Sequence, residues 1–196
     1  MKYIIVGLGN PGEEYASTRH NTGRMVLEVF RKKNDFPEWK EDKNLRALVS
    51  KSEFGKDQVI LIEPNNFMNV SGKSVVPLIK SKKDAERLIV VYDDIDLPLG
   101  TMKISFNRSS GGHKGLESII KALRTPAFAR LRIGICPTTP SGKLSKPKND
   151  KALLDFIIGQ FKKTEIEVMK KVTKKGADVL SLILAKGRER ATGEVN

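Results

Sequence analysis

Residues 2–23 read KYIIVGLGNPGEEYASTRHNTG, an apolar run that passes through a turn of Gly, Asn and Pro into a polar cluster. The β-branched and aromatic residues of this run are typical of a buried strand, and the glycines that follow would end it. His20, one of only two histidines in the chain, lies between Arg19 and Asn21 where a helix is predicted to begin. Because ligands of α/β proteins gather at strand ends, we interpret this stretch as the active site.

The turn also satisfies the pattern G-x-G-x-x-G after a strand, so a dinucleotide-binding site is an alternative. In such a site the helix opens within the glycines, and its N-terminal amides face a pyrophosphate. Here Pro11 lies inside the turn, Glu13 and Glu14 would repel phosphate, and the next amphipathic run starts only near residue 21. The sequence therefore argues against a nicotinamide dinucleotide, and we predict no cofactor.

The composition indicates one domain with a polyanionic partner. A chain of 196 residues is long enough to bury a sizeable core. Its 36 Lys and Arg against 23 Asp and Glu give a formal net charge of +13, which favours nucleic acid as partner or substrate. A soluble protein with a merely basic surface is the alternative. The single Cys136 excludes an internal disulfide and a multi-cysteine metal site.

The sequence also indicates the cellular compartment of the protein. The N-terminal apolar run spans about seven residues, too few for the core of a signal peptide, and no later segment is apolar enough to span a membrane. A single cysteine fits a reducing compartment. We therefore expect a soluble, cytoplasmic protein without a membrane partner.

Predicted strands and helices alternate along the chain. Apolar residues at helical spacing predict helices at 22–33, 115–124, 153–161 and 164–184. Apolar runs predict strands at 2–8, 45–54, 59–62, 88–92, 102–106 and 131–135. This order is typical of an α/β fold with a twisted mixed sheet, mostly parallel and flanked by helices. The second and third strands would form an antiparallel hairpin.

We predict a single domain at 1–185. Residues 138–151, rich in Pro, Ser, Gly and Lys, are expected to form a mobile loop. Residues 186–196 are expected to form a flexible tail.

Three predicted strand ends carry polar side chains with the chemistry of a hydrolase. Asn10 and His20 follow the first strand, Asn69 follows the strand at 59–62, and Asp93 closes the strand at 88–92. Together they offer a base, a carboxylate able to orient it, and two carboxamides able to position water or bind a carbonyl. This chemistry needs no metal.

Other roles for these residue types remain as alternatives. Asp93, Asp94 and Asp96 could be turn residues or ligands of a hard metal. We favour Asp93 as the partner of His20 and assign no metal. For His113, which lies between glycines and a predicted helix, a structural or capping role is favoured over catalysis.

Six motifs follow one another along the chain. They are G-L-G-N-P-G at 7–12, Y-x-x-T-R-H-N-x-G at 15–23, F-M-N-x-S-G at 67–72, D-[DE]-x-D-L-P-x-G at 93–100, G-G-H-x-G-L at 111–116 and R-L-R-I-G-I at 130–135. In content and order they resemble the bacterial peptidyl-tRNA hydrolase family. The match covers nearly the whole chain and is weakest at 34–52 and after Cys136.

The resemblance implies hydrolysis of the ester bond between peptide and tRNA in peptidyl-tRNA, which recycles tRNA from aborted translation. His20 matches the general base that activates water, and Asp93 matches the carboxylate that stabilises its active form. Asn69 matches a residue that holds the water and contacts the substrate, while Asn10 matches the position that senses the blocked peptide end. The family's other substrate-contacting positions are matched by two aromatic residues, Tyr15 and Phe67.

The chain departs from the family pattern at two substrate-binding positions. After G-G-H it has Lys114 in place of asparagine, and a lysine can hold a phosphate or carbonyl but cannot accept a hydrogen bond. Arg132 matches half of a clamp on the 5′ phosphate of tRNA, but Ser105 stands at the other half. Lys103 or Arg108 would then take that part.

The resemblance further implies the tRNA acceptor arm and its attached peptide as partners, and a monomer. The main alternative is a protein that only binds RNA, because some relatives of this fold have become RNA-binding factors. Lys114 could belong to such a branch. The intact pair of His20 and Asp93 favours the enzyme.

Overall fold

Seven strands form one mixed sheet in the computed structural model, which describes residues 1–196. The strands are β1 (Lys2–Gly7), β2 (Lys40–Asp42), β3 (Ala47–Phe54), β4 (Asp57–Pro64), β5 (Leu88–Pro98), β6 (Met102–Phe106) and β7 (Ala129–Cys136). Their spatial order is β2-β3-β4-β1-β5-β7-β6. The four central strands β4, β1, β5 and β7 are parallel, whereas β2 pairs with β3, β3 with β4, and β6 with β7 in the antiparallel sense. This arrangement confirms the predicted mixed sheet.

Helices cover both faces of the sheet. They are α1 (Thr22–Lys33), α2 (Gly72–Val75), α3 (Lys82–Glu86), α4 (Lys114–Leu123), α5 (Asp150–Ile158), α6 (Lys163–Lys186) and α7 (Arg188–Val195). The predicted helix at 22–33 and the predicted hairpin of β3 and β4 are confirmed. No α-helix opens within the glycine turn after β1, because α1 begins only at Thr22. None of the helices combines the length and apolarity needed to cross a membrane.

The core consists of two layers, one on each face of the sheet. Successive side chains of a strand point to opposite faces, so Ile5 of β1 packs beneath α1 and α6 while Ile4 and Val6 pack beneath α4. This burial on both faces explains why β1 is apolar throughout instead of alternating.

Two predictions about local structure are wrong. β5 does not end at residue 92 but continues to Pro98, so Asp93 lies within a strand and is not a turn residue. Residues after Lys186 form α7 instead of a flexible tail: Ala191 is fully buried, and the side chain of Asn196 exchanges two hydrogen bonds with the backbone of Ile104 in β6. The predicted tail is thereby anchored to the sheet edge.

Gly23 allows α1 to cross the sheet at very close range. A Cβ at this position would lie 2.3 Å from the carbonyl oxygen of Val91 and 2.6 Å from the amide nitrogen of Leu8, both of them backbone atoms. Because neither can move without displacing a central strand, we expect Gly23→Ala to lower the free energy of unfolding by about 3 kcal/mol. Urea denaturation would measure the loss.

Gly193→Ala in α7 is the matched control, since a Cβ there would meet no atom within 4 Å. Alanine is the better helix former, so this variant should be unchanged or more stable by about 0.5 kcal/mol. Equal unfolding midpoints for the two variants would contradict the close approach of α1 to the sheet.

Candidate active site

The carboxyl ends of three adjacent strands meet at one edge of the sheet. β1 lies between β4 and β5 and runs parallel to both. The turns after β1 carry Asn10 and His20, the loop after β4 carries Asn69, and β5 carries Asp93. The fold thus brings the turns that carry Asn10, His20 and Asn69 next to β5, in which Asp93 lies.

His20 and Asp93 form a buried pair. Each is about one-twentieth exposed, and Nδ1 of the imidazole lies 3.0 Å from both carboxylate oxygens. An ionised carboxylate only accepts hydrogen bonds, so Nδ1 carries the proton and donates it to Asp93. In the neutral ring Nε2 is then the acceptor, which is the form that a general base requires.

The electrostatics of the pair keep Asp93 ionised and make His20 a stronger base than a free imidazole. Burial lowers the pKa of His20, but the charge of Asp93 and its hydrogen bond raise it by more, so the pKa lies above its ordinary value. Burial raises the pKa of Asp93, yet His20 and His113 lower it by more, and the carboxyl remains ionised far below neutral pH. When this pair takes up or releases a proton, the proton is therefore bound by the imidazole of His20 and not by the carboxylate of Asp93.

His113 contacts the same carboxylate from α4. Its Nε2 lies 3.1 Å from Oδ1 of Asp93, and its Nδ1 accepts the backbone N–H of Leu116 at 3.3 Å as the N-cap of the helix. The predicted capping role is confirmed, whereas the contact with Asp93 was not predicted. The only sequence signal for it is a second histidine before a helix on this edge of the sheet.

The same three residues form a candidate metal site. His20, Asp93 and His113 offer three ligand atoms within 4.8 Å of one another. Each contact has an ordinary hydrogen-bond length, and the second nitrogen of His113 is engaged by a backbone amide. Hydrogen bonding accounts for the whole cluster, so we assign it to proton chemistry.

Asn10 connects the first two strand ends. Its side-chain oxygen accepts the backbone N–H of Met68 at 2.9 Å. The carboxamide of Asn21 accepts the N–H of Asn10 and donates to its carbonyl, both at 2.9 Å. The Nδ2 group of Asn10 is then its donor available to a ligand. Asn21 was missed as a site residue, although its place beside His20 was a signal.

Three further predicted contact residues lie on the turns that follow β1 and β4. Asn69 is exposed, and Phe67 exposes 62% of its surface at the start of the same short turn. Tyr15 is half-buried, and its backbone carbonyl accepts a hydrogen bond from the hydroxyl of Thr18. Accessible aromatic and amide side chains on these two turns suit a flexible, partly apolar ligand.

The basic residues lie further along the sheet. Lys103 of β6 stands directly across from Arg132 of β7, whereas Ser105 stands across from Arg130. Paired residues of antiparallel strands point to the same face, so Lys103 and Arg132 form a cationic pair. Arg132 also donates from Nε to Asp94 at 2.7 Å. Register thus makes Lys103 the neighbour of Arg132.

Two further predicted residues lie on the loop before α4 and at the start of that helix. Arg108 is exposed, and the guanidinium of the buried Arg130 donates to the carbonyl oxygens of Arg108 and Ser109. Lys114 is the exposed first residue of α4, directly after His113. Arg130 therefore anchors the backbone of this loop, and the side chains of Arg108 and Lys114 are accessible to solvent.

Known proteins resemble this chain in sequence and in fold. A family model described as peptidyl-tRNA hydrolase matches residues 4–196. A peptidyl-tRNA hydrolase from Alkaliphilus oremlandii is 38% identical over 186 residues, with 94% of both chains covered. One from Aquifex aeolicus is 41% identical over 182 residues, covering 90% of this chain and 87% of that protein. The crystal structure of peptidyl-tRNA hydrolase from Acinetobacter baumannii superposes with a TM-score of 0.86 at 30% identity, covering 99% of this chain and 94% of the other.

Proposed function

The chain belongs to the peptidyl-tRNA hydrolase family, and from this we propose that it hydrolyses the ester bond between peptide and tRNA in peptidyl-tRNA. The observation that carries the proposal is the buried pair of His20 and Asp93, whose geometry leaves Nε2 of a neutral imidazole as acceptor. The reaction recycles tRNA from aborted translation. It belongs in the cytoplasm, where translation takes place, and we propose a monomer as the acting form.

In the proposed mechanism His20 is the general base. A water molecule gives a proton to Nε2 while its oxygen attacks the ester carbonyl, and Asp93 stabilises the resulting imidazolium. The tetrahedral intermediate then expels the ribose oxygen, which takes the proton from Nε2. The products are a peptide with a free carboxyl group and tRNA with a free terminal hydroxyl. Proton transfer of this kind is worth about 10²- to 10⁴-fold in rate.

The carboxamides position water and substrate in this mechanism. We assign the water to Asn69, which is exposed on the turn after β4, and Nδ2 of Asn10 donates to a carbonyl of the blocked peptide end. A free aminoacyl group bears an ammonium instead of that carbonyl, so Asn10 would select against it. Phe67 and Tyr15 contact the peptide or terminal nucleotide, and Lys114 holds a phosphate or carbonyl.

The tRNA body is proposed to bind through the basic residues. The formal net charge of +13 supports attraction to a phosphate backbone, and the cross-strand pair of Lys103 and Arg132 offers two adjacent cations to one phosphate group. Such contacts recognise shape and charge more than base sequence.

This assignment predicts how salt affects tRNA binding. Each phosphate contact releases counterions, so we expect Lys103→Gln to weaken binding and to reduce the slope of log Kd against log salt by about one. Filter binding at several salt concentrations would measure the slope. Lys56→Gln in the turn between β3 and β4, at the opposite end of β1 from His20, is the matched control and should leave the slope unchanged. Equal slopes for the two variants would remove Lys103 from the phosphate site.

The proposed function is tested by release of N-acetylated amino acid from N-acetyl-aminoacyl-tRNA. We expect cleavage of this blocked substrate and none of the unblocked aminoacyl-tRNA. Binding of both tRNAs without cleavage would refute the hydrolase and favour a protein that only binds RNA.

A further inference from the structure

Asp93 is shared by two imidazoles that differ in their second hydrogen bond. Nδ1 of His20 and Nε2 of His113 both face its carboxylate, and the centres of the two rings are 4.9 Å apart. Both rings are almost entirely buried. Either histidine could in principle take the proton released by the attacking water, and the structure distinguishes between them.

The cap of α4 fixes the state of His113. A neutral imidazole has one donor and one acceptor, and Nδ1 of His113 accepts the N–H of Leu116. Its single proton therefore lies on Nε2 and is donated to Asp93. A second proton on Nδ1 would point at the N–H of Leu116 and at the positive end of the helix dipole, both of which disfavour it.

The nitrogen of His20 that faces away from Asp93 has no such partner in the protein, so it can receive a proton. We propose that His113 is a positioning residue: a neutral donor that orients the Asp93 carboxylate and leaves the proton of the reaction to His20. The inference rests on the proposed function, because it concerns the base of that reaction.

The proposal predicts the direction in which the pKa of His20 changes when His113 is replaced. A donor from His113 engages part of the charge of Asp93, so its removal should strengthen the attraction between Asp93 and a protonated His20. His20 would then hold its proton to higher pH, and the acid limb of the activity profile would move upward. The charged or ionisable groups on the elements around the pair are Asp93, Lys114, Tyr92, Arg19 with Glu165, Arg24 with Glu63, and Arg132 with Asp94. All of them remain when His113 is replaced.

Two variants separate the cap from the contact with Asp93. The oxygen of His113→Asn replaces Nδ1 and keeps the cap, but its side chain is too short to reach Asp93. The amide of His113→Gln reaches the position of Nε2 and keeps the donor, but it loses the cap. The acid limb of kcat/KM is measured for both, together with thermal unfolding and the NMR titration of His20, which is the only histidine left in either variant.

We expect His113→Asn to keep its Tm within a few degrees, to move the acid limb and the His20 titration upward by about half a pH unit, and to lower kcat about tenfold. His113→Gln should unfold at lower temperature with a pH profile close to that of the unmodified protein. The proposal is overturned if His113→Asn leaves the titration of His20 in place, or if both variants shift it equally. Because this titration needs no substrate, it holds or fails even if no cleavage of peptidyl-tRNA is found.

Discussion

His20→Asn is expected to lower kcat for N-acetyl-aminoacyl-tRNA by about 10³-fold, since it removes the general base and leaves only the binding and oxyanion contributions. Asparagine can still donate to Asp93 in place of Nδ1, so the buried carboxylate keeps a partner and the fold should persist. The affinity for tRNA should change little, because the imidazole is buried. Single-turnover cleavage and filter binding would separate the two effects.

His20→Gln serves as the companion variant. Its amide reaches the position of Nε2 but cannot accept and hold a proton at neutral pH. It should be as inactive as His20→Asn, although it fills the same space. A kcat within tenfold of the unmodified enzyme in either variant would show that another group activates the water.

Asp93→Asn is expected to lower kcat/KM by about 10²- to 10⁴-fold. The amide cannot stabilise the imidazolium, and its NH₂ group favours the tautomer of His20 with the proton on the wrong nitrogen. The pH dependence gives a second signature. Asp93 raises the pKa of His20 against the lowering effect of burial, so without the carboxylate this pKa falls. A base with a lower pKa is neutral at lower pH, and the acid limb should move downward.

Asp96→Asn is the matched control from the same acidic motif. Asp96 is about half exposed and pairs with Lys146 on the surface, where such a pair contributes little. Its rate and pH profile should match those of the unmodified enzyme. An upward shift of the acid limb in Asp93→Asn, or the same loss in both variants, would contradict the assignment of Asp93 as the partner of His20. The acid limb is expected to move downward in Asp93→Asn and upward in His113→Asn. The two pH profiles therefore test the influence of Asp93 on His20 independently.

Local patterns were sufficient where neighbours in sequence determine structure. The apolar run of β1 and the helical spacing of 22–33 predicted elements that the structure confirms, because both are encoded by residues a few positions apart. The same rules underestimated β5 and missed α7. Asp93 was predicted to follow the end of a strand, but pairing with β7 extends β5 beyond it. Residues 186–196 are mostly polar, but packing against β6 stabilises them as α7.

The order of the motifs along the chain was enough to indicate the family and to select a histidine, a carboxylate and two carboxamides as candidate site residues. Which of these side chains contact one another depends on the three-dimensional fold. His20 and Asp93 are 73 residues apart, and their contact depends on β1 lying between β4 and β5. The register of β6 on β7 placed Lys103 beside Arg132, and the cap of α4 turned His113 toward Asp93. These contacts follow from the pairing of distant segments, which is set by the packing of the whole sheet and not by the local pattern of any one of them.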